Sequence, residues 1–219
     1  MCTPKRSVKV DDVMSFGTSE TLRTNMIEGN VDCVVGACDG VGTLLMTNPD
    51  IVQGVGGRVS ALISTTPIPE IIEKVGKENV LDPDTAELNP IKGLKMALEG
   101  GYKNIAVTVI SSQVVMDIRK YPVDDDVNIY IFVAHTTGVT RDEAEMLFDY
   151  ADVISGCSSV YIREVAEERE TYYSGVKVPL YAVTDTGRKM LDLRLKCIGK
   201  DLCSKSYPQD FSKSPKPLI

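Results

Sequence analysis

The amino-acid sequence predicts an α/β fold: a doubly wound, mostly parallel sheet of five or six strands with helices on both faces. Short runs rich in β-branched residues alternate along the chain with amphipathic helical segments, which is the order of strands and crossover helices in such sheets. The runs are apolar almost throughout, as strands covered on both faces require. Because so few strands are visible, an open sheet is favoured over an eight-stranded barrel.

The strands are predicted from continuous apolar runs of four to eight residues. A further segment, Lys5–Ser15, alternates charged and apolar residues and predicts an edge strand. The five buried strands, in chain order, are Val31–Cys38, Asn104–Ile110, Asn128–Ala134, Asp152–Ser155 and Pro179–Val183.

The helices are predicted from their start and stop residues. Asn48 and Asn89 each precede a proline, which suits an N-cap followed by the first helical turn. Thr140 and Glu143 have the spacing of a capping box. The glycine-rich stretch Gln53–Arg58 is expected to interrupt any regular helix that follows Asn48. The predicted helices are Pro69–Val75, Ile91–Leu98, Ala144–Tyr150, Tyr161–Arg169 and Arg188–Cys197.

A change in composition after Gly199 predicts the domain organisation. Residues 1–199 are expected to form a single α/β domain. Lysine, serine and proline dominate residues 200–219, so this polar C-terminal tail is expected to be weakly ordered.

The overall composition excludes several classes of function. The net charge of −7, the absence of tryptophan and the 6% aromatic content argue against nucleic-acid binding, which needs a basic face or a stacking platform. No run of about 18 apolar residues is present, so no membrane span is expected. The first residues do not lead into an apolar signal segment, which predicts a cytoplasmic protein. The oligomeric state does not follow from the sequence.

Six cysteines are the most distinctive chemical feature. In a long chain without a secretory signal they are expected to be reduced thiols, metal ligands or reactive groups. Cys33 lies in the middle of a predicted strand and fits core packing. Cys38 and Cys157 end strands, next to predicted helix starts that would stabilise a thiolate. Cys197 and Cys203 are interpreted as structural or incidental.

Polar residues follow all five predicted strands. In open α/β sheets, ligands bind beyond the carboxyl ends of the strands, so these segments are expected to share one rim. Capping of the following helices is the alternative explanation for their serines and threonines. Arg163, in the predicted helix after Cys157, is expected to lie at the surface or to form an ion pair. The strand ends are Cys38–Gly40, Ser111–Gln113, His135–Gly138, Gly156–Ser159 and Thr184–Thr186.

Glycine-rich turns and hydroxyls on this rim make a candidate ligand site. Backbone amides in such turns can cradle an anion, and an arginine can grip a phosphate or carboxylate. The turns match neither a Walker motif nor the complete dinucleotide fingerprint, so tight packing is the favoured alternative to nucleotide binding. The candidate ligand-binding residues are Asp39, Gly40, Gly42, Gly56, Gly57, Arg58, His135, Thr136 and Thr137.

Three cysteines form a candidate metal site. Cys2, Cys38 and Cys157 would supply three thiolates, which suits an iron–sulfur cluster with one open position. Two cysteines with His135 would suit zinc. No compact C-x-x-C spacing supports either ligand set.

Several segments of the chain together resemble one family, methanogenesis marker protein eight. They are Met1–Pro4, Cys38–Thr43, Gln53–Arg58, Ser64–Glu70 and Ala134–Gly138, and the resemblance extends from Met1 to about Lys196. It implies an archaeal, cytoplasmic protein connected with methanogenic metabolism. It does not imply a reaction.

Three functions stay open at this point. The first is a thiolate-based metal or iron–sulfur protein that assists assembly or activation of a methanogenic enzyme, with that enzyme or cofactor-assembly proteins as partners. The second is a small-molecule enzyme of cofactor biosynthesis, with Arg58 holding an anionic substrate and Cys38 or Cys157 as a nucleophile assisted by His135. The third is a non-catalytic partner subunit.

Overall fold

The computed structural model of the chain describes residues 3–56, 63–110 and 112–219. These residues form an α/β fold with one mixed sheet between two layers of helices. The strands described are β1 Cys33–Cys38, β2 Gly42–Met46, β3 Asn104–Val109, β4 Asn128–Val133, β5 Val153–Ser155, β6 Tyr172–Ser174 and β7 Leu180–Ala182. The α-helices described are α1 Thr18–Ile27, α2 Pro49–Gly56, α3 Pro69–Val75, α4 Pro90–Glu99, α5 Ser112–Arg119, α6 Arg141–Tyr150, α7 Val160–Glu168 and α8 Asp185–Cys197, with a short 3-10 helix at Lys77–Asn79.

The sheet has seven strands in the order β2-β1-β3-β4-β5-β7-β6, rather than the five or six expected. Four central strands, β1, β3, β4 and β5, pair in parallel. The outer pairs, β1–β2, β5–β7 and β6–β7, are antiparallel. The sheet is therefore mixed, with a parallel centre and antiparallel outer pairs. The connection between β1 and β2 is too short for a parallel crossover, so these two strands form a hairpin.

The parallel strands advance in one direction across the sheet. Their connections contain α4, α5 and α6, which all pack on the same face. A doubly wound sheet would instead reverse its strand order at a switch point, and no reversal of this kind occurs among the parallel strands of the described residues.

Alternate residues of each central strand face opposite helical layers. Val34 and Ala106 pack with helices α1, α2, α3 and α8, whereas Val35 and Ile105 pack with helices α4 to α7. We call these two sides the α1/α8 face and the α4–α7 face. Helices on both faces, as predicted, explain why the strands are apolar throughout.

Several local predictions are confirmed. All five predicted buried strands are present, with ends shifted by at most two residues. Asn89 caps α4 by accepting a hydrogen bond from Lys92 N. Thr140 and Glu143 form the predicted capping box at the start of α6.

One prediction for the N-terminal quarter is wrong, since Lys5–Ser15 contains no strand. The glycine-rich stretch Gln53–Arg58 begins inside a helix, because α2 continues through Gln53, Gly54 and Val55 and ends at Gly56. Gly57 and Arg58 lie outside the described residues. A side chain at Gly54 would collide with the carbonyl group of Val8. This glycine therefore allows the N-terminal segment to lie directly against α2.

Residues of the C-terminal tail contact the rest of the chain. Ser204 exchanges two backbone hydrogen bonds with Tyr173 of β6. Gln209 accepts a hydrogen bond from the hydroxyl of Tyr181 at 2.7 Å. The division of the chain after residue 199 stays a prediction. Among the described helices, none combines the length and apolar character needed to cross a bilayer.

Candidate functional site

The carboxyl ends of the four parallel strands lie at one end of the sheet. The described residues that follow these strands are Asp39–Gly40, Ile110, Ala134–Gly138 and Gly156–Ser159, and we call them the carboxyl rim. The fifth predicted strand end, Thr184–Thr186, is not part of it, because β7 runs antiparallel to β5. Thr184 instead donates a hydrogen bond to Asp152, at the amino end of β5.

The β1–β2 turn is held by contacts within the chain. Thr65 Oγ1 donates to Asp39 Oδ1 at 2.6 Å and accepts from Gly40 N at 2.8 Å. Gly42 has a φ of +80°, and a side chain there would collide with the backbone of Ala86. The Gly40 amide is thus already engaged by a threonine. Ligand binding by Asp39, Gly40 and Gly42 stays a prediction.

Cys38 is fully buried at the end of β1, beside an arginine of the N-terminal segment. Arg6 Nη1 lies 3.7 Å from Cys38 Sγ, and Arg6 Nη2 donates to the carbonyl of Gly54 at 2.6 Å. The N-terminal segment therefore reaches the start of the carboxyl rim. Sequence reasoning missed Arg6, because a single arginine in an irregular segment carries no periodic signal.

Cys157 lies in the loop between β5 and α7, and a buried arginine holds this loop. Its backbone adopts a φ of +39°, and its Sγ is 3.5 Å from Ser155 Oγ. Arg163 is only 1% exposed, and its guanidinium donates to the carbonyls of Gly156, Cys157 and Ser159. The expectation of a surface or ion-paired Arg163 is wrong, since backbone carbonyls solvate it. Burial lowers the pKa of Arg163.

The loop after β4 is tied to the loop after β5. Thr136 is buried and donates to the carbonyl of Ser155 at 2.6 Å, and Thr137 Oγ1 accepts from Ser158 N at 3.1 Å. His135 is partly buried and has a φ of +58°, which only a minority of non-glycine residues adopt. Two of the predicted ligand-binding residues, Thr136 and Thr137, thus link neighbouring loops of the rim.

The predicted metal ligands do not form a compact group in the described part of the chain. Cys38 and Cys157 follow strands separated by β3 and β4. Three strand spacings correspond to roughly 14 Å, whereas a zinc–sulfur bond is about 2.3 Å long. No cluster of three potential ligands occurs among residues 3–56, 63–110 and 112–219. Cys2 lies outside these residues, so the complete set stays a prediction.

The remaining thiols divide by burial. Cys33 and Cys203 are buried, and burial raises the pKa of each thiol to about 12. Such thiols are protonated and unreactive near neutral pH. Cys33 points to the α4–α7 face and Cys38 to the α1/α8 face, as their five-residue separation predicts. Cys197 is exposed near the end of α8.

A cavity of about 320 Å³ lies at the carboxyl ends of β1 and β3. Apolar side chains from both faces of the sheet line it, and His135 contributes to its wall. The described lining residues include no aspartate, glutamate, lysine or arginine. Among them are Thr18, Ser19, Leu22, Val34, Val52, Val55, Thr108, Val114, Ala134 and His135.

The glycine-rich stretch borders this cavity. Gly56, at the end of α2, and Ile63 both line it. Gly57 and Arg58, the predicted anion-binding residues that follow Gly56, lie outside the described residues. Sequence reasoning did not find the cavity, because its described walls come from elements far apart in the chain, namely α1, α2, α4, α5, β1, β2 and β3.

Comparisons with known proteins give the chain a family. A protein of Methanocaldococcus jannaschii, described as "Uncharacterized protein MJ0054", is 35% identical over 210 residues, which cover 94% of this chain and 74% of that protein. The sequence model of an archaeal family matches residues 1–196, which include every candidate site residue. The chain therefore belongs to the family described as "Uncharacterized protein conserved in archaea (DUF2099)".

Proposed function

We propose that this protein binds a small, predominantly apolar molecule in the cavity at the carboxyl ends of β1 and β3. The cavity itself is the observation that carries the proposal. Its volume of about 320 Å³ is within the range of small-molecule sites, and its position agrees with the rule for ligands in open α/β sheets. Apolar walls with a few polar groups are typical of such sites.

The lining favours an uncharged or weakly polar body for the ligand. Leu22, Val34 and Val52 line the cavity, and they would take apolar surface of a ligand out of water. A phosphate buried here would need cationic partners, and the described lining residues provide no lysine or arginine. The described lining thus favours a ligand with an apolar body, and the anionic substrate predicted with Arg58 stays a prediction.

His135 is the ionisable side chain among the described lining residues. An imidazole can accept or donate a proton near neutral pH, so it is suited to contact the polar part of a ligand. If the protein is an enzyme, His135 is the residue of this wall that would act as a general acid or base.

The cellular setting is part of the same proposal. The segments Cys38–Thr43 and Ala134–Gly138 resemble methanogenesis marker protein eight, and the cavity lies between them in space. A cytoplasmic role in methanogenic metabolism, with a small metabolite or cofactor precursor as the ligand, is consistent with that resemblance.

Binding of a neutral fluorescent probe tests the proposal. N-phenyl-1-naphthylamine fluoresces strongly in apolar sites, and the absence of tryptophan from the sequence leaves its emission undisturbed. We expect saturable binding of about one probe per chain. Val114→Phe places a larger side chain in the wall and should weaken binding about tenfold, or about 1.4 kcal/mol.

Val178→Phe is the matched control, because Val178 is 42% exposed and does not line the cavity. It should leave binding unchanged. Absence of saturable binding to the folded wild-type protein would contradict the proposal, and so would equal binding by the Val114→Phe variant.

A further inference from the structure

One wall of the cavity borders a buried polar network. Ser19 of α1 lines the cavity, and its hydroxyl donates to Glu20 Oε2 at 3.2 Å. Glu20 Oε1 accepts from Gln53 Nε2 at 2.7 Å and from Met14 N at 3.2 Å. Glu20 and Gln53 are both 0% exposed. We call Ser19, Glu20 and Gln53 the Glu20 network.

No cation neutralises Glu20 within the described residues. The ion pairs of Arg23 and Arg194, its neighbours on α1 and α8, involve Asp11, Asp12 and Asp50 instead. Three donors converge on the Glu20 oxygens, which is the pattern that a carboxylate, an acceptor-only group, needs. The network therefore places a negative charge next to the cavity wall.

The network has more acceptors than donors. The Ser19 proton is used by Glu20, so the Ser19 oxygen has only lone pairs left to offer. Gln53 Oε1 is buried and has no hydrogen-bond partner among the described residues. Rotating this amide would place its oxygen 2.7 Å from Glu20 Oε1, where two acceptors would repel, so its orientation is fixed.

A second hydroxyl of the cavity lining, that of Thr108, also donates its proton within the protein. Thr108 Oγ1 donates to the carbonyl of Val35 at 3.2 Å, so its lone pairs are also the part left for a ligand. Ser19 and Thr108 thus keep lone pairs, but no proton, for a molecule that reaches their hydroxyls. A ligand that supplies a hydrogen-bond donor would therefore be matched to these lone pairs.

We propose that the ligand of this cavity carries a hydrogen-bond donor, specifically an amine, which faces Ser19 next to the Glu20 carboxylate. The inference rests on the proposed function and names the ligand class. A protonated amine supplies donors and a positive charge, whereas a carboxylate or phosphate would meet lone pairs and a buried negative charge. An alcohol supplies a donor without the charge, so we expect its affinity to lie between that of the amine and that of the carboxylate.

Three probes with one carbon skeleton test this ranking. Hexylamine, 1-hexanol and hexanoate are titrated against wild-type protein carrying N-phenyl-1-naphthylamine, and displacement of the fluorophore is measured. We expect hexylamine to displace it at about tenfold lower concentration than hexanoate, with 1-hexanol between them. Equal displacement, or a preference for hexanoate, would overturn the amine inference and leave the proposed cavity site intact.

Two variants assign the preference to the network. Glu20→Gln removes the charge, and Ser19→Ala removes the hydroxyl that connects the network to the cavity. Each should reduce the preference for hexylamine over hexanoate to within about threefold, while N-phenyl-1-naphthylamine still binds. Glu73→Gln, at an exposed position of α3, is the control and should keep the full preference.

The outcomes separate the two claims. Failure of N-phenyl-1-naphthylamine to bind the wild-type protein would contradict the cavity as a ligand site, and the amine inference with it. If Glu20→Gln does not fold, Ser19→Ala still tests the assignment, since it removes a single oxygen atom. Full preference in a folded Ser19→Ala variant would overturn the role of Ser19.

Discussion

The helices on the two faces of the sheet bury different kinds of side chain. On the α4–α7 face, helices α4 to α7 bury conventional apolar stripes, with Leu94, Val115, Leu147 and Ile162 in one continuous cluster. On the α1/α8 face, α1 turns a largely polar surface inward, and its buried residues include Glu20, Thr24 and Asn25 as well as Leu22.

The polar residues of α1 are satisfied by specific partners. Asn25 donates to the carbonyls of Thr21 and Met190, and Arg194 of α8 donates to Thr24 and to the carbonyl of Ser15. Such contacts add less net stability than apolar packing, but they require one geometry. We therefore interpret the α4–α7 face as the main source of stability and the α1/α8 face as the part of the molecule that shapes the cavity wall.

Truncation in the apolar cluster should have the largest effect on stability. Leu147 is 1% exposed on α6 and does not line the cavity. Leu147→Ala should lower the free energy of unfolding by about 3 kcal/mol, because it removes buried methyl groups and leaves a void. Urea denaturation measures this loss. Probe binding should be unchanged below the transition, and a large loss of binding in the folded variant would contradict the division between the faces.

Alkaline pH should lower the free energy of unfolding, because Cys33 is buried as a neutral thiol on the α4–α7 face. Burial raises the pKa of this thiol to about 12, while an unfolded thiol titrates near 8.5. The unfolded chain therefore loses this proton first, and the stability contributed by the neutral thiol is complete below about pH 8.5 and decreases until about pH 12. By pH 10 the contribution of Cys33 should have fallen by about 2 kcal/mol.

The measurement is urea denaturation between pH 8 and 10.5. Tyrosines and lysines also titrate in this range, so the wild-type protein is compared with Cys33→Ala, whose stability should decrease less steeply. Parallel curves for the two proteins would show that burial of Cys33 does not set the alkaline limit.

The smallest effect on the free energy of unfolding is expected at the N-cap of α6, on the α4–α7 face. Thr140 Oγ1 accepts from Glu143 N, and Glu143 accepts from Thr140 N. Thr140→Ala should lower the free energy of unfolding by about 1 kcal/mol. Thr137→Ala serves as a comparison from the carboxyl rim, since it removes the acceptor for Ser158 N without a helix cap. A loss at Thr140 as large as that of Leu147→Ala would be inconsistent with this order.

The same contrast explains which elements the sequence could predict. Helices α4, α6 and α7 have apolar stripes and recognisable caps, and their bounds agree with the prediction to within about three residues. Helix α1 has no such stripe, because its inward residues apart from Leu22 are serine, threonine, asparagine and glutamate, so its periodicity does not mark a buried helix. Strand β2 begins at Gly42, which was interpreted as part of a loop.

The candidate site was predictable only in part. The rule for parallel strands correctly brought the segments after β1, β4 and β5 to one rim, but it misplaced Thr184, whose strand direction the sequence does not reveal. The roles of Arg6 and Arg163 depend on carbonyls that converge only in the folded chain. The cavity and the Glu20 network depend on contacts between residues far apart in sequence, which composition and spacing cannot encode.

The outermost strands of the sheet have a consequence for self-association. Leu44 of β2 bridges to Val80, and Tyr173 of β6 exchanges two backbone hydrogen bonds with Ser204. Both outer strands are thus partly covered by irregular segments, which hinders the intermolecular strand pairing that leads to fibrils. Removing residues 203–219 would expose β6, so a shortened chain should aggregate more readily than the full chain, and fusion partners are better attached at loops remote from Ser204.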